Sequence, residues 1–369
     1  MRIQRVEAEA LSIPLNRDFG GATYHVTRRC TVITRVYSRD GVVSEVYNGD
    51  NRDHSPEIAR VIREVLAPLV VGEDPFAVER LWQRLFAKTI AAGDRKLLLE
   101  AIACVDCAIW DLMGKALGKP VRDLLGGYCD GLPIISIGGY YVEGKTYADI
   151  GREMEAYREA GMAGCKFKVG GLTPEEDAKR VQAARKAAGD DFVLAVDANR
   201  GWDVDNAIRF ARLIEPLNIR WFEEPCHWYD DAAMMAQVRR ATRIPITAGQ
   251  SEITSQGVRR LVEAGAVDLV NYDVSEGGGV TDWRRAAALC GAAGVRMAHH
   301  EESQISIHLL TSIPHGTYVE CFADPERDPV WQTVWANRPK VKDGMFTLPK
   351  GAGFGIKLDK KLVRKYRVG

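Results

Sequence analysis

Two lysines flank one phenylalanine in the segment AGCKFKVGG, which otherwise has the composition of a buried β-strand. Because residues i and i+2 of a strand point to the same side, Lys166 and Lys168 project together while Phe167 faces the other side. Each ammonium raises the cost of protonating its neighbour, which lowers a lysine pKa towards the range of a general base. The pair therefore predicts proton-transfer chemistry in preference to two side chains that extend into solvent.

Acidic side chains end the two predicted strands that follow. Asp197 lies in the segment VDAN and Glu223 in the segment FEEP. Their carboxylates could share a hard cation such as Mg²⁺ with a third oxygen ligand from the fifth predicted strand. Gln250 and Glu252 follow that fifth strand. Two successive acidic strand ends that face a lysine pair indicate a metal site more than a salt bridge or a helix cap.

A second pair of ionisable residues ends the sixth and seventh predicted strands, in the segments NYD and MAHH. A carboxylate that bonds one imidazole nitrogen fixes the tautomer and raises the basicity of the ring, so the other nitrogen can give or take a proton. Asp273 and His300 are therefore predicted to form such a pair on the wall opposite the lysines. Glu320 adds a carboxylate on the eighth strand.

The elements that carry these residues repeat one pattern from residue 133 onward. A short apolar or β-branched run ends in glycine or charge, and an amphipathic helical segment follows. Strands that alternate with helices pair in parallel, and eight such units predict a (β/α)8-type, TIM-like barrel whose chemistry gathers at the C-terminal strand ends. A doubly wound open sheet is the alternative, but the units are even in length and a GxGxxG opening is missing from the sequence.

The first third of the chain has a different pattern. Two alternating segments joined at SRDG predict a small antiparallel meander, and helical patterns follow at residues 55–117. We expect an α+β capping domain at residues 1–127, a barrel catalytic domain at residues 128–345 and a C-terminal segment at residues 346–369 that returns to the capping domain.

Composition excludes several classes of function. The 50 Lys+Arg balance 50 Asp+Glu, so no overall basic field favours nucleic acid or anionic lipid. No run approaches the ~20 apolar residues of a membrane span. The eight cysteines are scattered in mostly apolar surroundings, and the CxxC of Cys104 and Cys107 lies in a helical apolar stripe, which favours reduced thiols in a core. We expect a cytoplasmic protein with a small-molecule partner, and neither nucleic acid nor membrane.

The motifs together resemble the enolase superfamily, and within it the mandelate racemase subgroup, which includes muconate lactonizing enzymes and acid-sugar dehydratases. ACVDCAIWDLMGKALGKPVRDLLGG resembles the helix and linker before the barrel, and KFK, DAN, FEEP, NYD and MAHH follow in family order. The resemblance spans nearly the whole chain. It implies abstraction of the proton α to a carboxylate through an enediolate, with one Mg²⁺, or Mn²⁺ as an alternative ion.

The resemblance also implies a role for each residue. Lys168 resembles the base on one face of the substrate, while Lys166 lowers its pKa and contacts the substrate carboxylate. Asp273 and His300 resemble the dyad on the other face, and His299 is the competing choice. The remaining roles are those of two metal ligands, Asp197 and Glu223, and of an acid that hydrogen-bonds the substrate carboxylate, Glu320.

The fifth strand departs from the family pattern. The family usually has GE there, whereas this chain has GQSE, which makes Gln250 the third metal ligand. A neutral amide oxygen removes one negative charge from the site and should weaken Mg²⁺ binding. Glu252 is the alternative ligand if the strand continues.

Polar segments supply the expected substrate contacts, which favour a polyhydroxy acid. Related enzymes use the two N-terminal loops, around GGATYHVTRR and YNGDNRDHS, for specificity. The predicted contacts are Asn199, Tyr24, His25, Asn48, Arg52 and Trp228.

The resemblance implies an acid-sugar dehydratase, a hydro-lyase that forms a 2-keto-3-deoxy acid, because dehydration is frequent in the subgroup. Racemisation, epimerisation and cycloisomerisation use the same intermediate and remain open alternatives. A third reading is a binding protein that keeps the barrel but has lost its chemistry through Gln250. We also expect a homo-oligomer.

Overall fold

The structure is a computed structural model that describes residues 1–50, 52–227 and 230–369. For Arg52 it describes the backbone but not the side chain. The predicted barrel is formed by strands that alternate with helices. Its strands are β4 (Gly131–Gly138), β5 (Gly164–Lys168), β6 (Val193–Asp197), β7 (Phe222–Glu223), β8 (Ile246–Ala248), β9 (Leu269–Val270), β10 (Arg296–Met297) and β11 (Val319–Cys321).

These strands follow one another around the barrel. They pair in parallel from β4 through β10, and β11 pairs with the other edge of β4. β10 and β11 meet through two isolated parallel bridges, Met297 with Gly316 and Glu302 with Glu320. The (β/α)8-type barrel predicted from the sequence is thereby confirmed, and its C-terminal strand ends converge as that fold requires.

Helices surround the barrel, and local capping signals begin several of them. Thr146 and Thr173 each form a capping box with the acidic residue three positions later. The helices are α6 (Tyr147–Glu159), α7 (Pro174–Ala188), α8 (Val204–Ile214), α9 (Asp231–Ala241), α10 (Ser255–Glu263), α11 (Val280–Ala293) and α12 (Ser303–Leu310).

An antiparallel sheet and a helical layer precede the barrel as a cap. The sheet contains β1 (Ile3–Gly20), β2 (His25–Ser38) and β3 (Val46–Asn48), and the layer contains α1 (Ser55–Val61), α2 (Ala67–Val70), α3 (Val78–Phe86), α4 (Arg95–Leu117) and α5 (Val121–Leu124). After the barrel come β12 (Met345–Thr347), α13 (Lys360–Tyr366) and β13 (Arg367–Val368). β13 pairs with β1 of the cap, while the domain limits stay predictions.

Helix α4 holds the cap against the barrel. Asp106 accepts hydrogen bonds from the backbone N–H of Thr281 at 2.9 Å and from its hydroxyl at 2.7 Å. Trp110 donates its indole N–H to the same hydroxyl at 3.0 Å. Gly279 has a φ of +94°, and a Cβ there would lie 2.5 Å from Asp106 Oδ2. The glycine run SEGGGV therefore serves the close approach of α4 to the start of α11.

The cysteines and the lengths of the helices match two expectations from the sequence. All eight cysteines, each within the described ranges, are free, and Cys104 and Cys107 are buried on α4. Within the described part of the chain, every helix is too short or too polar to cross a bilayer.

Candidate active site

Lys166 occupies the centre of a buried charge cluster at the end of β5. Its ammonium donates to Glu223 Oε1 at 2.8 Å and to Glu320 Oε2 at 2.9 Å, and it lies 3.8 Å from Asp197 Oδ2. Burial alone lowers the pKa of Lys166, but the three carboxylates raise it further than burial lowers it. The three acids therefore favour the ammonium form of Lys166.

Lys168 projects from the same face of β5, as the two-residue spacing predicts. Its ammonium donates to Asp197 Oδ2 at 2.7 Å and to Asn199 Oδ1 at 2.9 Å. Burial lowers the pKa of Lys168, yet Asp197 and the neighbouring tyrosines, Tyr24 and Tyr140, raise it well above its usual value. The two ammonium groups do oppose each other's protonation, as the pair predicts, but Asp197 outweighs this effect, so the pKa of Lys168 lies above and not below its usual value.

Asp197 and Glu223 end the neighbouring strands β6 and β7 and are paired in register. Burial raises the pKa of Asp197, but Lys168 and Lys166 lower it to about 2. Burial also raises the pKa of Glu223, to about 8, because the attraction of Lys166 is opposed by Asp197 and Glu320. Carboxyl oxygens crowded at adjacent strand ends are the donor chemistry that a hard divalent cation takes.

Gln250 supplies an amide oxygen just beyond the next strand end. It is buried, and its Nε2 donates to Glu224 Oε2 at 2.9 Å. Its Oε1 is also buried and has no hydrogen-bond partner in the described part of the chain. An orphaned amide oxygen beside two acidic strand ends fits a cation ligand, so Asp197, Glu223 and Gln250 could hold Mg²⁺ together.

Glu252 lies outside this donor set, which corrects its place among the predicted metal ligands. β8 ends at Ala248, and Gly249 turns the chain with a φ of +134°. The carboxylate of Glu252 lies 3.5 Å from Arg260 Nη2 on α10, away from the cavity lining. The strand that would have kept Glu252 on the side of Gln250 does not continue.

His300 pairs with Asp273 at the ends of β10 and β9. His300 Nδ1 donates to Asp273 Oδ2 at 2.8 Å. Both ring nitrogens of His299 form hydrogen bonds with backbone groups. Nε2 accepts from the Val274 N–H at 3.0 Å, and Nδ1 donates to the His300 carbonyl at 2.7 Å. Of the two histidines, the structure brings His300 to the aspartate.

A second carboxylate, absent from the sequence-based predictions, lies on the other side of the same imidazole. Glu301 Oε1 is 3.4 Å from His300 Nε2. Burial lowers the pKa of His300, but Glu301 and Asp273 raise it to about 10. Glu301 and Glu302 have φ values of +52° and +54°, the left-handed region that non-glycine residues adopt at some cost. The strained turn holds the acid beside the ring, so the imidazole is kept protonated.

Glu320 lies at the end of β11 and links the two charged groups. Its Oε2 accepts from Lys166 and from the backbone N–H of Glu301 at 3.1 Å. Its Oε1 is buried and lacks a hydrogen-bond partner among the residues that the structure describes. This oxygen is available to a ligand that donates a hydrogen bond.

A cavity of about 370 Å³ lies above these groups, between the barrel mouth and the cap. Its barrel wall includes Asn199, Arg200, Gln250, Ser251, Asp273, Glu276, His300, Glu301 and Arg327. Its cap wall includes Thr23, Tyr24, Val26, Gly49, Asp50, His54, Asp94, Lys96, Leu97 and Glu100. A larger cavity of about 690 Å³ lies against the outer face of α6, and its described lining contains none of the predicted site residues.

The predicted substrate contacts divide into three groups. Tyr24 and Asn199 line the cavity. His25 is exposed outside the lining, and Asn48 is buried below it, where its Nδ2 donates to Ser275 Oγ at 2.9 Å, so the structure does not bring these two residues to the cavity. Trp228 and the side chain of Arg52 lie outside the described residues.

The sequence-based reasoning missed Asp50, Glu301 and Arg327, all of which line the cavity. Asp50 and Arg327 join across 277 positions of the chain, with Arg327 Nη2 donating to Asp50 Oδ2 at 2.9 Å. The only available signals were their loop positions, in YNGDNRDHS and in the segment ADPERDP that follows the eighth strand.

Comparison with known proteins identifies the family of this chain. The family model of the mandelate racemase/muconate lactonizing enzyme N-terminal domain matches residues 7–126, and the enolase C-terminal domain-like model matches residues 149–362. A 3,6-anhydro-alpha-L-galactonate cycloisomerase of Streptomyces coelicolor is 32% identical over 100% of both chains. An L-talarate/galactarate dehydratase of Salmonella typhimurium is 28% identical over 92% of this chain and 83% of its own.

Comparison with solved structures identifies the same family. A mandelate racemase/muconate lactonizing enzyme that is 47% identical matches with a TM-score of 0.96 and covers 100% of both chains. Another, from a marine actinobacterium in complex with magnesium, is 45% identical and matches with a TM-score of 0.93 over 100% of this chain and 99% of its own. The resemblance inferred from the motifs is confirmed, and the chain belongs to the mandelate racemase/muconate lactonizing enzyme family of the enolase superfamily.

Proposed function

We propose that this protein is a Mg²⁺-dependent dehydratase that removes the proton α to the carboxylate of an acid sugar and then expels a β-hydroxyl. The product is a 2-keto-3-deoxy acid. The observation that carries the proposal is His300, whose ring lies 2.8 Å from Asp273 and 3.4 Å from Glu301. An imidazole kept protonated between two carboxylates is suited to protonate a leaving oxygen, which is the step that dehydration needs.

Lys168 is the base in this proposal. The α-proton moves to its Nζ, and the electron pair of the C–H bond enters the carboxylate as an enediolate. Lys166 lies beside the acids at the barrel floor and stabilises the second negative charge on the substrate carboxylate. His300 Nε2 then gives its proton to the β-hydroxyl as the C–O bond breaks. Water leaves, and the enol product becomes the keto acid by tautomerisation.

Asp197 has a double role in this scheme. It holds Lys168 in the ammonium form at 2.7 Å, whereas a base must be a free amine. Lys168 therefore acts only when the charge of Asp197 is compensated in another way. Bound by Asp197, Glu223 and Gln250, Mg²⁺ would supply that compensation and would also oppose the charge that forms on the substrate carboxylate.

Cycloisomerisation of an anhydro or lactone form of an acid sugar is the second candidate. The full-length match to a cycloisomerase supports it. The chemistry differs only in the group that His300 protonates, because a ring oxygen leaves the β-carbon and stays attached to the product.

Racemisation and a non-catalytic role have less support. Racemisation needs His300 to take a proton from carbon as a neutral imidazole, which the two flanking carboxylates oppose. A protein that only binds has no use for two buried lysines at one strand end together with a His–Asp pair.

A screen of acid sugars tests the proposal. Purified protein with Mg²⁺ is incubated with aldonic acids, aldaric acids and their lactone and anhydro forms, and 2-keto acid formation and ring opening are followed by absorbance and by NMR. We expect keto acid from a polyhydroxy acid, with activity lost on chelation and restored by Mg²⁺. Ring opening without loss of water would favour the second candidate, and inversion without either reaction would contradict both. Complete inactivity would contradict the substrate class.

A further inference from the structure

Arg327 is a buried arginine on the cavity wall, in the loop that follows β11. Its Nη2 donates to Asp50 Oδ2 at 2.9 Å, and its Nε donates to Tyr140 Oη at 3.3 Å. Its Nη1 is buried and has no hydrogen-bond partner within the described ranges of the chain. A buried guanidinium nitrogen without an acceptor is costly, so the site lacks an oxygen that a ligand in the cavity could supply.

Aromatic rings hold this guanidinium in place. Its carbon lies 4.1 Å from the centre of the Phe322 ring and 5.7 Å from the centre of the Tyr140 ring. An arginine held by stacking and by two hydrogen bonds presents its remaining N–H groups in a fixed direction. The planar N–H groups of a guanidinium pair best with a carboxylate, because both partners are planar and the hydrogen bonds are charge-assisted.

Asp50 does not fully neutralise Arg327, because it also pairs with a second arginine. Asp50 also lies 3.4 Å from Arg29 Nη1, and Arg29 Nε donates to Asp328 Oδ1 at 2.9 Å. Two guanidiniums thus share two carboxylates. Glu301 is the third acid nearby, and its Oε1 lies 3.4 Å from His300 Nε2, so its charge is directed towards the imidazole. None of these acids supplies an acceptor to Arg327 Nη1 among the described residues.

Arg327 also faces the same cavity as the predicted reaction centre. It lines the cavity together with His300 and Gln250. Tyr140, which it contacts, also lies within electrostatic reach of Lys168. A volume of about 370 Å³ is near the lower end of the ~300–1,000 Å³ of small-ligand pockets, which suits a short acid spanning the two walls.

We propose that Arg327 binds a second carboxylate at the far end of the substrate, which makes the substrate an aldaric acid, with carboxylates at both ends, and not an aldonic acid. The inference rests on the proposed function and specifies its substrate class.

Paired substrates test this subsite. Hexaric acids and the hexonic acids of matching configuration are compared by kcat/KM in the parent protein, Arg327→Met and Arg327→Lys, all with Mg²⁺. We expect the parent to prefer the hexarate. Arg327→Met should lower the hexarate-to-hexonate ratio by about 10- to 100-fold, because a charge-assisted hydrogen bond is lost. Arg338→Met is the matched control, since Arg338 stacks on Trp331 outside the cavity and should leave the ratio unchanged.

Two outcomes would overturn the subsite. One is a parent protein that prefers hexonates, and the other is an Arg327→Met variant that loses both substrates equally. If Arg327→Met does not fold, Arg327→Lys serves as the test, because lysine keeps the charge but lacks the planar N–H groups of the guanidinium. A hexarate-to-hexonate ratio in Arg327→Lys equal to that of the parent would overturn the inference.

Binding separates this inference from the proposed function. If no acid sugar is turned over, the proposed function fails, and the subsite is judged by calorimetric titration of a hexarate and its hexonate into the parent and Arg327→Lys. Tighter hexarate binding that weakens in the variant supports the subsite, and equal affinities in the parent contradict it.

Discussion

At the residue scale, two groups of buried carboxylates each surround cationic side chains. Lys166 and Lys168 lie among carboxylates that hold both ammonium groups charged. His300 lies between two other carboxylates, which hold the imidazole charged as well. The proposed mechanism requires Lys168 to lose its proton before the reaction and His300 to keep its proton. In that proposal the difference depends on Asp197, because its carboxylate contacts Lys168 directly.

Exchange of the α-proton with solvent separates the base from the acid. We expect Lys168→Ala to lose both turnover and deuterium incorporation by several orders of magnitude, because the proton has no acceptor. His300→Asn should lose product formation while still exchanging the α-proton. NMR of recovered substrate in D₂O measures both, with circular dichroism as the check that each variant folds. Exchange that survives in Lys168→Ala and disappears in His300→Asn would reverse the two roles.

The affinity for Mg²⁺ tests whether the neutral side chain of Gln250 is a metal ligand. Gln250→Glu adds a negative charge at an oxygen position, so Mg²⁺ should bind more tightly than in the parent. Glu252→Gln is the matched control, because Glu252 contacts Arg260 on α10 and should change the affinity little. Isothermal titration of Mg²⁺ into the three proteins measures this. A large loss of affinity in Glu252→Gln would show that the loop after β8 rearranges to bring Glu252 to the metal.

At the element scale, strand periodicity explains what the sequence could predict. The alternation in KFK and the order of strand ends place Lys166, Lys168, Asp197 and Glu223 without tertiary information. Predictions beyond a strand end did not have that support. β8 stops at Ala248, so its periodicity says nothing about Glu252.

Side chains in loops needed the folded chain. Glu301 reaches His300 because its backbone adopts a left-handed conformation after β10, which no periodicity signals. Arg327 and Asp50 meet because the cap folds over the barrel, and their separation in sequence hides the contact. The charged strand ends of the candidate site were therefore predictable, whereas the loop residues on the walls of the cavity were not.

Helix α12 provides a prediction about pH at this scale. His308 is buried there, and its Nδ1 accepts from the Arg122 N–H at 3.4 Å while its Nε2 donates to the Phe354 carbonyl at 3.2 Å. Burial lowers the pKa of His308 from 6.5 to about 3. The unfolded state therefore binds more protons below pH 6.5, and the free energy of unfolding falls as the pH drops. The loss contributed by this residue should reach about 2–3 kcal/mol at pH 4.5.

Comparison of variants isolates this contribution. His308→Gln should show a shallower loss of stability than the parent between pH 7 and pH 4.5, measured by urea unfolding at each pH. His25→Gln, at an exposed position, is the control and should keep the slope of the parent. A His308→Gln slope equal to that of the parent would rule out His308 as a source of the acid sensitivity.

At the scale of the whole molecule, the candidate site exists only when the cap and barrel are docked. Both parts line the cavity, and Arg29 of β2 and Asp328 beyond β11 form a buried ion pair between them at 2.9 Å. Gly49 of the cap donates its N–H to Glu302, which follows the strained turn at Glu301. Docking therefore contacts the residue next to Glu301 in this turn, and the proposed activity should depend on the whole chain.

The contact between α4 and α11 tests this dependence. Thr281→Val keeps the side-chain shape but removes the hydroxyl that donates to Asp106 and accepts from Trp110. Two buried polar groups then lose a partner, so the free energy of unfolding should fall by about 2–4 kcal/mol. Thr333→Val, whose exposed hydroxyl bonds only the nearby Pro329 carbonyl among the described residues, is the control and should change stability little. Because Thr281 lies outside the cavity lining, turnover at low temperature should survive and disappear at the same urea concentration as tryptophan fluorescence. Activity lost well before the fluorescence change would instead indicate that the cap undocks from a barrel that is still folded.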